Sequence, residues 1–579
     1  MRTLVFLAPL AALAACATPN GAAGPARPSA AAAASTPQVR AVSPDEASPY
    51  GLFLAGRGAM NDGRSADAAG YFGAAAKAVG DESFLTDRAF SAALLAGDIR
   101  RSAALAPTGP GADPAVMRLG VLVRGVETLA EGDGKGARTI LTSTDVGYPH
   151  KTAVALIVPF AAAAAGDVQG SIVHLVLPGE PIAQFFAALD QAKLQERAKK
   201  FDEAETGYKA LIAAGDPGAM ASLNYGAMLE RRGRRADAAA VYQAALLRNP
   251  DNDELRDGRL RALGHKPAPR MPTIQQDAAE ALIAPAASLM IQHQQEVALA
   301  YLRLALRLDP QRDEAWMLVG DILAQEGDKD GAREAYLKVA PGDSRFVTAR
   351  GKLAWTYQNA GDKETALKLA RETLAAQPDS LDAQVNLADL LRADERYDES
   401  AQVLDKVIAG AGPTPDWRLY YARAMSLQQA GHWPEAERDL QAALKQRPDE
   451  PELLNFLAYS WVDRGEHLNE ALAMTQKAVS LNPQSGAMID SLGWAYYRLG
   501  DYKTAVTKLE QAVVLEPSDP DVNDHLGDAY WRVGRKTEAE YQWKRVLTLE
   551  PTAKLKTAVE QKLKSGLDTP AAPAVVAGS

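Results

Sequence analysis

The sequence predicts an all-α solenoid of about fourteen helix-turn-helix units, on three observations. Small residues recur at a near-constant spacing, glycines precede them at a fixed offset, and alanine dominates the apolar fraction. Of 579 residues, 47% are apolar but only 6% aromatic. Alanine has the highest helix propensity and lets helices approach closely, so this composition favours packed helices over sheets. The chain is too long for a single hydrophobic core. With 73 Asp+Glu against 63 Lys+Arg, the net charge of −10 argues against nucleic-acid binding, which needs a basic stripe. The single cysteine excludes an intramolecular disulfide and a Cys-cluster metal site.

Residues 1–15 read as a secretory signal. Met1-Arg2-Thr3 gives a short basic start, and the apolar run Leu4–Ala15 is shorter than the roughly 20 residues that span a bilayer. Leu13-Ala14-Ala15-Cys16 resembles a bacterial lipobox. That resemblance implies that Cys16 is acylated and opens the mature chain, whose charge is then −11. Ala17, where some lipoproteins carry Asp, resembles the outer-membrane address of Gram-negative bacteria, with the body facing the periplasm. Residues 16–48 are rich in Ala, Pro, Gly and Ser and lack apolar periodicity. They cannot bury enough surface to offset their ordering entropy, and so are expected to form a tether with a reach on the order of 30 Å. Residues 565–579 read as a second disordered tail.

The repeat shows most clearly near the end. Asp490-Ser-Leu492-Gly493-Trp-Ala-Tyr496 is followed by Ala505, Leu509 and Pro517, and Asp524-His-Leu526-Gly527-Asp-Ala-Tyr530 by Ala539, Trp543 and Pro551. Both stretches resemble the tetratricopeptide pattern and lie 34 residues apart, its period. The small residue that opens each second helix can be traced through Ala68, Ser102, Ala137, Ser171, Ala204, Ala238, Ala298, Ala332, Ala366, Ser400, Ala436, Ala471, Ala505 and Ala539. Twelve of the thirteen steps span 33 to 36 residues. A small side chain is needed where the two helices of a hairpin cross. Five residues earlier a glycine usually marks the turn, at Gly63, Gly97, Gly132, Gly166, Gly233, Gly327, Gly361, Gly431, Gly500 and Gly534. Prolines such as Pro250, Pro310 and Pro378 close second helices.

The exceptional step, 60 residues from Ala238 to Ala298, contains Gly264-His-Lys-Pro-Ala-Pro-Arg-Met-Pro272. It predicts an extra helix near Asp253–Leu263, a proline-rich loop, and a repeat resuming near Gln275. The expected organisation is a degenerate N-terminal arm over 49–252, the extra helix and loop over 253–275, and a regular arm over 276–552. A capping helix over 553–564 follows, with Leu555, Val559 and Leu563 on one stripe.

No motif nominates catalysis. Glu131-Gly-Asp-Gly-Lys-Gly136 lacks the first glycine and the Ser/Thr of a phosphate loop, with Leu129 and Gly136 in their places. Seven histidines, at 150, 174, 265, 293, 432, 467 and 525, form no metal-binding spacing and read as surface or turn residues. There is no G-x-S-x-G. The expectation is a chain that is no enzyme and takes neither cofactor, metal nor small-molecule substrate.

The eight tryptophans all lie at or after Trp316. Trp316, Trp433, Trp461 and Trp543 fall at large apolar positions within the repeat, whereas Trp494 and Trp531 fall on the first-helix side that lines the concave surface in such solenoids. Tyr421, Asn455, Tyr459, Asp490, Tyr497, Arg498, Asp524, Asp528 and Arg532 share that side, so these eleven residues form a candidate partner-binding groove. Trp, Tyr and Arg are the residues most enriched at interface hot spots. The alternative is that the aromatics pack against a neighbouring repeat or a capping helix. On the groove reading, replacing Trp494 and Trp531 together by Ala weakens binding without unfolding the chain.

Beyond the repeat, four stretches carry a more specific likeness: Trp417–Ala422, Asn455–Gly465, Asp490–Gly500 and Asn523–Gly534. With the arm from about Asp277 onward, they resemble outer-membrane tetratricopeptide lipoproteins, the LbcA-type adaptors of periplasmic carboxy-terminal processing proteases. The resemblance implies a scaffold that binds such a protease and presents substrates such as cell-wall hydrolases. The rival within binding proteins is an assembly factor for an envelope machine, a pilus secretin or a polysaccharide exporter.

Overall fold

A computed structural model describes residues 48–80, 83–108, 112–144, 146–250 and 252–567. The signal segment, Cys16, the tether up to residue 47 and the tail from residue 568 lie outside the described residues. Six hairpins come first: α1 (Pro49–Asn61) with α2 (Ser65–Val79), α3 (Ser83–Ala96) with α4 (Ile99–Leu105), α5 (Pro114–Ala130) with α6 (Gly134–Leu141), α7 (Lys151–Ala164) with α8 (Val168–Ser171), α9 (Pro181–Arg197) with α10 (Phe201–Ala214), and α11 (Met220–Arg231) with α12 (Arg235–Leu246). A single helix, α13 (Asp253–Leu263), follows. Eight further hairpins are α14 (Ile274–Ile291) with α15 (Gln295–Leu308), α16 (Asp313–Gln325) with α17 (Lys329–Leu337), α18 (Phe346–Gln358) with α19 (Lys363–Ala376), α20 (Leu381–Ala393) with α21 (Tyr397–Gly410), α22 (Trp417–Gln429) with α23 (Trp433–Gln446), α24 (Pro451–Arg464) with α25 (Leu468–Leu481), α26 (Gly486–Arg498) with α27 (Tyr502–Leu515), and α28 (Pro520–Arg532) with α29 (Lys536–Val546). The last helix is α30 (Ala553–Ser565). The fold class is therefore the expected one, fourteen helix-turn-helix units with an interruption after the sixth. None of the described helices is long and apolar enough to cross a membrane.

Six of the fourteen hairpins are closed by the same glycine contact. A small residue on the first helix seats a large one sixteen positions later on the second: Gly56 with Phe72, Gly125 with Leu141, Gly226 with Tyr242, Gly320 with Tyr336, Gly493 with Leu509 and Gly527 with Trp543. At each of these glycines an added Cβ would come within 3.0 Å of that side chain. The small residue opening the second helix is itself buried in the crossing. At two of the three serines the first helix satisfies the hydroxyl: Ser102 and Ser400 donate to the carbonyls of Phe90 and Ala388 at 3.2 and 2.8 Å, whereas Ser171 donates to the Val168 carbonyl of its own helix at 2.9 Å.

The turns share one backbone solution. The ten turn glycines have φ between 76° and 90°, in the left-handed region that only glycine enters freely. Three repeats place Lys199, His293 and Glu395 there instead, at φ 63°, 58° and 59°. In the remaining repeat, with one residue inserted, Gly465 takes the position at φ 76°.

The interruption has local causes. Asn252 caps α13, accepting from the Leu255 N–H, and Thr273 and Gln276 form a reciprocal capping box that starts α14. Helix α13 covers the open side of the sixth hairpin: Gly258 lies against the Tyr242 ring, and Arg261 bonds Glu230.

By compactness the chain falls into two units. One unit runs to Ala366 and the other begins at Leu367, inside α19. The first unit is extended because the loop after α13 turns the chain back. Helix α14 packs against α7 and α9, and α15 against α3 and α5. Arg307 makes a two-point ion pair with Glu127 at 2.7 and 2.9 Å, Lys193 bonds Glu280 at 2.6 Å, and Arg197 bonds Asp277 at 2.7 Å. The His150 ring nitrogen lies 2.8 Å from the Tyr301 hydroxyl. Burial, aided by Arg118, pushes this histidine down to about 4, so it is neutral.

The closing contact predicts an asymmetry between glycines. Gly226→Ala should lower the stability of the first unit by about 1–3 kcal/mol, because Tyr242 cannot withdraw from between two helices. Gly70→Ala, whose Cβ would meet open space, should be neutral or stabilising by up to about 1 kcal/mol. Denaturant unfolding of the two variants checks this, and equal effects would contradict it.

Candidate partner-binding face

In the second unit α26 packs against both α24 and α28, so residues at equal positions of these first helices form rows. The fifth position carries Asn455, Asp490 and Asp524, and the ninth Tyr459, Trp494 and Asp528. Their centre is a histidine. His525 stacks on Trp494 with ring centroids 4.1 Å apart and planes 15° from parallel, and the Tyr459 ring lies 6.4 Å away. Trp494 also stacks on Tyr497, with centroids 4.5 Å apart. Arg532 donates to the Tyr497 hydroxyl at 3.2 Å, and Arg498 to the Asp463 carbonyl at 2.7 Å.

The His525 ring is 7% exposed and bonds the Asp490 carboxylate at 2.9 Å. Burial disfavours the imidazolium, but Asp490, with Asp524 and Asp521, outweighs it and raises His525 to about 9. At neutral pH the Trp494 ring therefore lies on a cation, an arrangement favourable to both. Burial also raises Tyr459 and Tyr497, keeping both phenols protonated.

Four of the eleven groove residues are buried, and one more is covered. Tyr421 belongs to the core, edge-on to Phe456 at 5.8 Å, and Asp490 is engaged by His525. Asp524 and Asp528 lie under α30, where Lys562 bonds both carboxylates at 2.7 to 2.9 Å. Burial raises Asp528 to about 6. Trp531 packs between Trp543 and the end of α30, where a Cβ on Gly566 would meet its ring within 3.0 Å. These five were expected to line an open groove. They do not, because the end of a repeat stack must be covered and α30 covers it across this side. Asn455, Tyr459, Trp494, Tyr497, Arg498 and Arg532 stay half-exposed. Among them the Trp494 indole N–H and the Asn455 side-chain oxygen have no hydrogen-bond partner among the described residues.

Two histidines depart from the surface or turn reading: His150 and His525 are buried, while the other five are exposed. A signal for His525 existed, since its counterparts in the preceding first helices are Ser491 and Phe456, both turned inward. Lys562 had none, because its partners lie more than thirty residues away. Among the described residues no group of three His, Cys, Asp or Glu converges to hold a metal ion.

Comparison with known proteins matches family models described as tetratricopeptide repeat over residues 189–254, 290–345, 352–414 and 421–486, and as TPR repeat over 493–534. Together these spans take in about half of the chain. A similar curated protein, the TPR repeat-containing protein PA4667 of Pseudomonas aeruginosa, is 28% identical over 190 residues, 32% of each chain. The chain thus spans about a third of the length of the curated relative it matches. Similar solved structures include the Cut9-Hcn1 hetero-tetramer of the APC/C, 15% identical with a TM-score of 0.38, covering 89% of this chain and 96% of that one. Another is a tetratricopeptide repeat protein of Parabacteroides merdae, 15% identical with a TM-score of 0.35, covering 44% and 98%.

A histidine raised to about 9 binds its proton more tightly folded than unfolded, where its pKa is about 6.5. Its contribution to stability is full below about pH 6.5 and is lost as pH rises through about 9. The melting temperature of the second unit should fall across that window, and Asp490→Asn should flatten the fall. A flat profile in the unmutated chain would contradict the buried ion pair.

Proposed function

The chain belongs to the tetratricopeptide repeat family, and from that premise we propose that it is a scaffold anchored at the outer membrane through Cys16. In this reading its second unit holds a periplasmic carboxy-terminal processing protease and brings that enzyme's substrates to it. The observation that carries the binding site is Trp494: a half-buried ring held flat by His525 and Tyr497, beside the half-exposed Tyr459, Arg498 and Arg532. The open part of the ring is apolar surface flanked by Arg498 and Arg532, and Trp, Tyr and Arg are the residues most enriched at interface hot spots. The rings are ordered before binding, so little side-chain entropy is lost on docking.

The scaffold needs no catalytic group of its own. Its effect is local concentration: once protease and substrate are both held, their encounter becomes nearly intramolecular. The choice of protease rests on the likeness of the stretches around Trp417, Asn455, Asp490 and Asn523 to the LbcA-type adaptors, and the membrane address on the lipobox.

Affinity purification from detergent-solubilised membranes, tagged on the C-terminal tail and read by mass spectrometry, tests the reading. The expected result is recovery of a carboxy-terminal processing protease, reduced at least tenfold by Trp494→Ala with the helical circular dichroism unchanged. Trp531 is left intact in that variant because it packs under α30. Recovery of secretin or exporter components without the protease would overturn the proposal in favour of an assembly factor.

A further inference from the structure

The fourth hairpin lacks most of its second helix. Helix α8 has four residues, whereas the other second helices of the first six hairpins have between seven and fifteen. No residues are missing, since Ser171 to Ala204 is an ordinary step of 33. The helix stops because Ile172-Val-His-Leu-Val-Leu-Pro178-Gly179-Glu-Pro181 brings β-branched residues, then two prolines and a glycine. Those residues form a loop, and two of its apolar side chains stand in solvent, Val173 at 44% and Val176 at 69% exposure.

Beside this loop α9 and α10 enclose a groove of about 650 Å³, with His174 of the loop on its border. On α9 its wall alternates Ala188 and Ala192 with Gln191 and Gln195, and on α10 Thr206 is followed by the mostly small Gly207, Ala210, Leu211 and Ala214. Two antiparallel helices lined with small residues form a channel into which the ridge of a third helix fits. The groove extends along about two turns of α9 and three of α10. Its rim is acidic: Asp202 and Glu203 are exposed and enter no ion pair among the described residues. No basic residue lines the groove.

We propose that this groove on α9 and α10 is a second docking site, which takes one amphipathic helix of a partner protein with a small apolar ridge and flanking lysines or arginines. Such a helix supplies in trans the packing that α8 does not. Its ridge covers Ala188, Ala192, Ala210 and Ala214, Val173 and Val176 fold over its apolar side, and its cations face Asp202 and Glu203. The site uses none of the residues around Trp494 and stands whether or not the protease reading holds.

The test uses a defined helix and the full chain. The probe is a stapled, fluorescein-labelled peptide with the sequence of α19, a regular second helix whose buried face in this chain includes Ala366, Leu367 and Ala370. Glu364→Gln and Glu372→Gln make it basic. Fluorescence anisotropy should show saturable binding to the full chain, weakened at least tenfold by Ala210→Arg with Ala214→Arg. Both positions are exposed, so this variant keeps its fold. Asp202→Asn with Glu203→Gln should weaken binding about threefold or more at low salt and little at high salt. Unchanged binding to the arginine variant would overturn the proposal. So would silence of the full chain together with binding by a chain that starts at Ser48, which would make the occupant the protein's own N-terminal segment. Self-association of the full chain that the arginine variant abolishes would overturn it in favour of a second copy.

Discussion

The structure depends on one repeated contact, a small residue on the first helix of a hairpin against a large side chain sixteen residues later on the second. Because no Cβ fits at the glycine member, the helices approach closely at that point, and the crossing is fixed there. The left-handed turn residue then has one workable conformation, and a buried Ala or Ser must follow it five positions on. Every surface available for binding is what remains once those positions are spent. On a first helix, the fifth and ninth residues are left facing away from their own hairpin. Those are the positions that bring Asn455, Tyr459, Asp490 and Trp494 together.

The two units use that leftover side differently. In the first, α14 and α15 lie against α3, α5, α7 and α9, fixed by the pairing of Arg307 with Glu127 and of Lys193 with Glu280. Removing one member of such a pair would strand a charge away from water, so each selects one arrangement strongly. In the second, the corresponding side carries stacked rings around a charged histidine, and its far end is closed by α30 through Lys562. What stays open is a short stretch centred on Trp494.

How far the sequence revealed this follows from the range of each interaction. The hairpins, the turn glycines, the extra helix at Asp253–Leu263 and the final helix were legible because each is written within a single 34-residue period. The return of α14 onto earlier repeats was not, since its determinants, such as Glu127 and Arg307, are 180 residues apart and are unremarkable alone. The candidate face was half legible. Repeat register placed Tyr459, Trp494 and Tyr497 on one side, but register cannot show that α30 lies over Trp531, Asp524 and Asp528. His525 passed as a turn histidine because its partner, Asp490, belongs to the preceding repeat.

The most direct measurement of the central claim is hydrogen–deuterium exchange of the full chain, alone and with a purified carboxy-terminal processing protease. Backbone amides within a stable helix already exchange slowly, so the informative signal is added protection at the frayed ends and turns of α24 and α26. The account predicts that protection around Asn455–Arg464 and Trp494–Leu499, with the glycine turns of the first unit unchanged. Protection confined to other hairpins, or none at protease concentrations that saturate a pull-down, would contradict it.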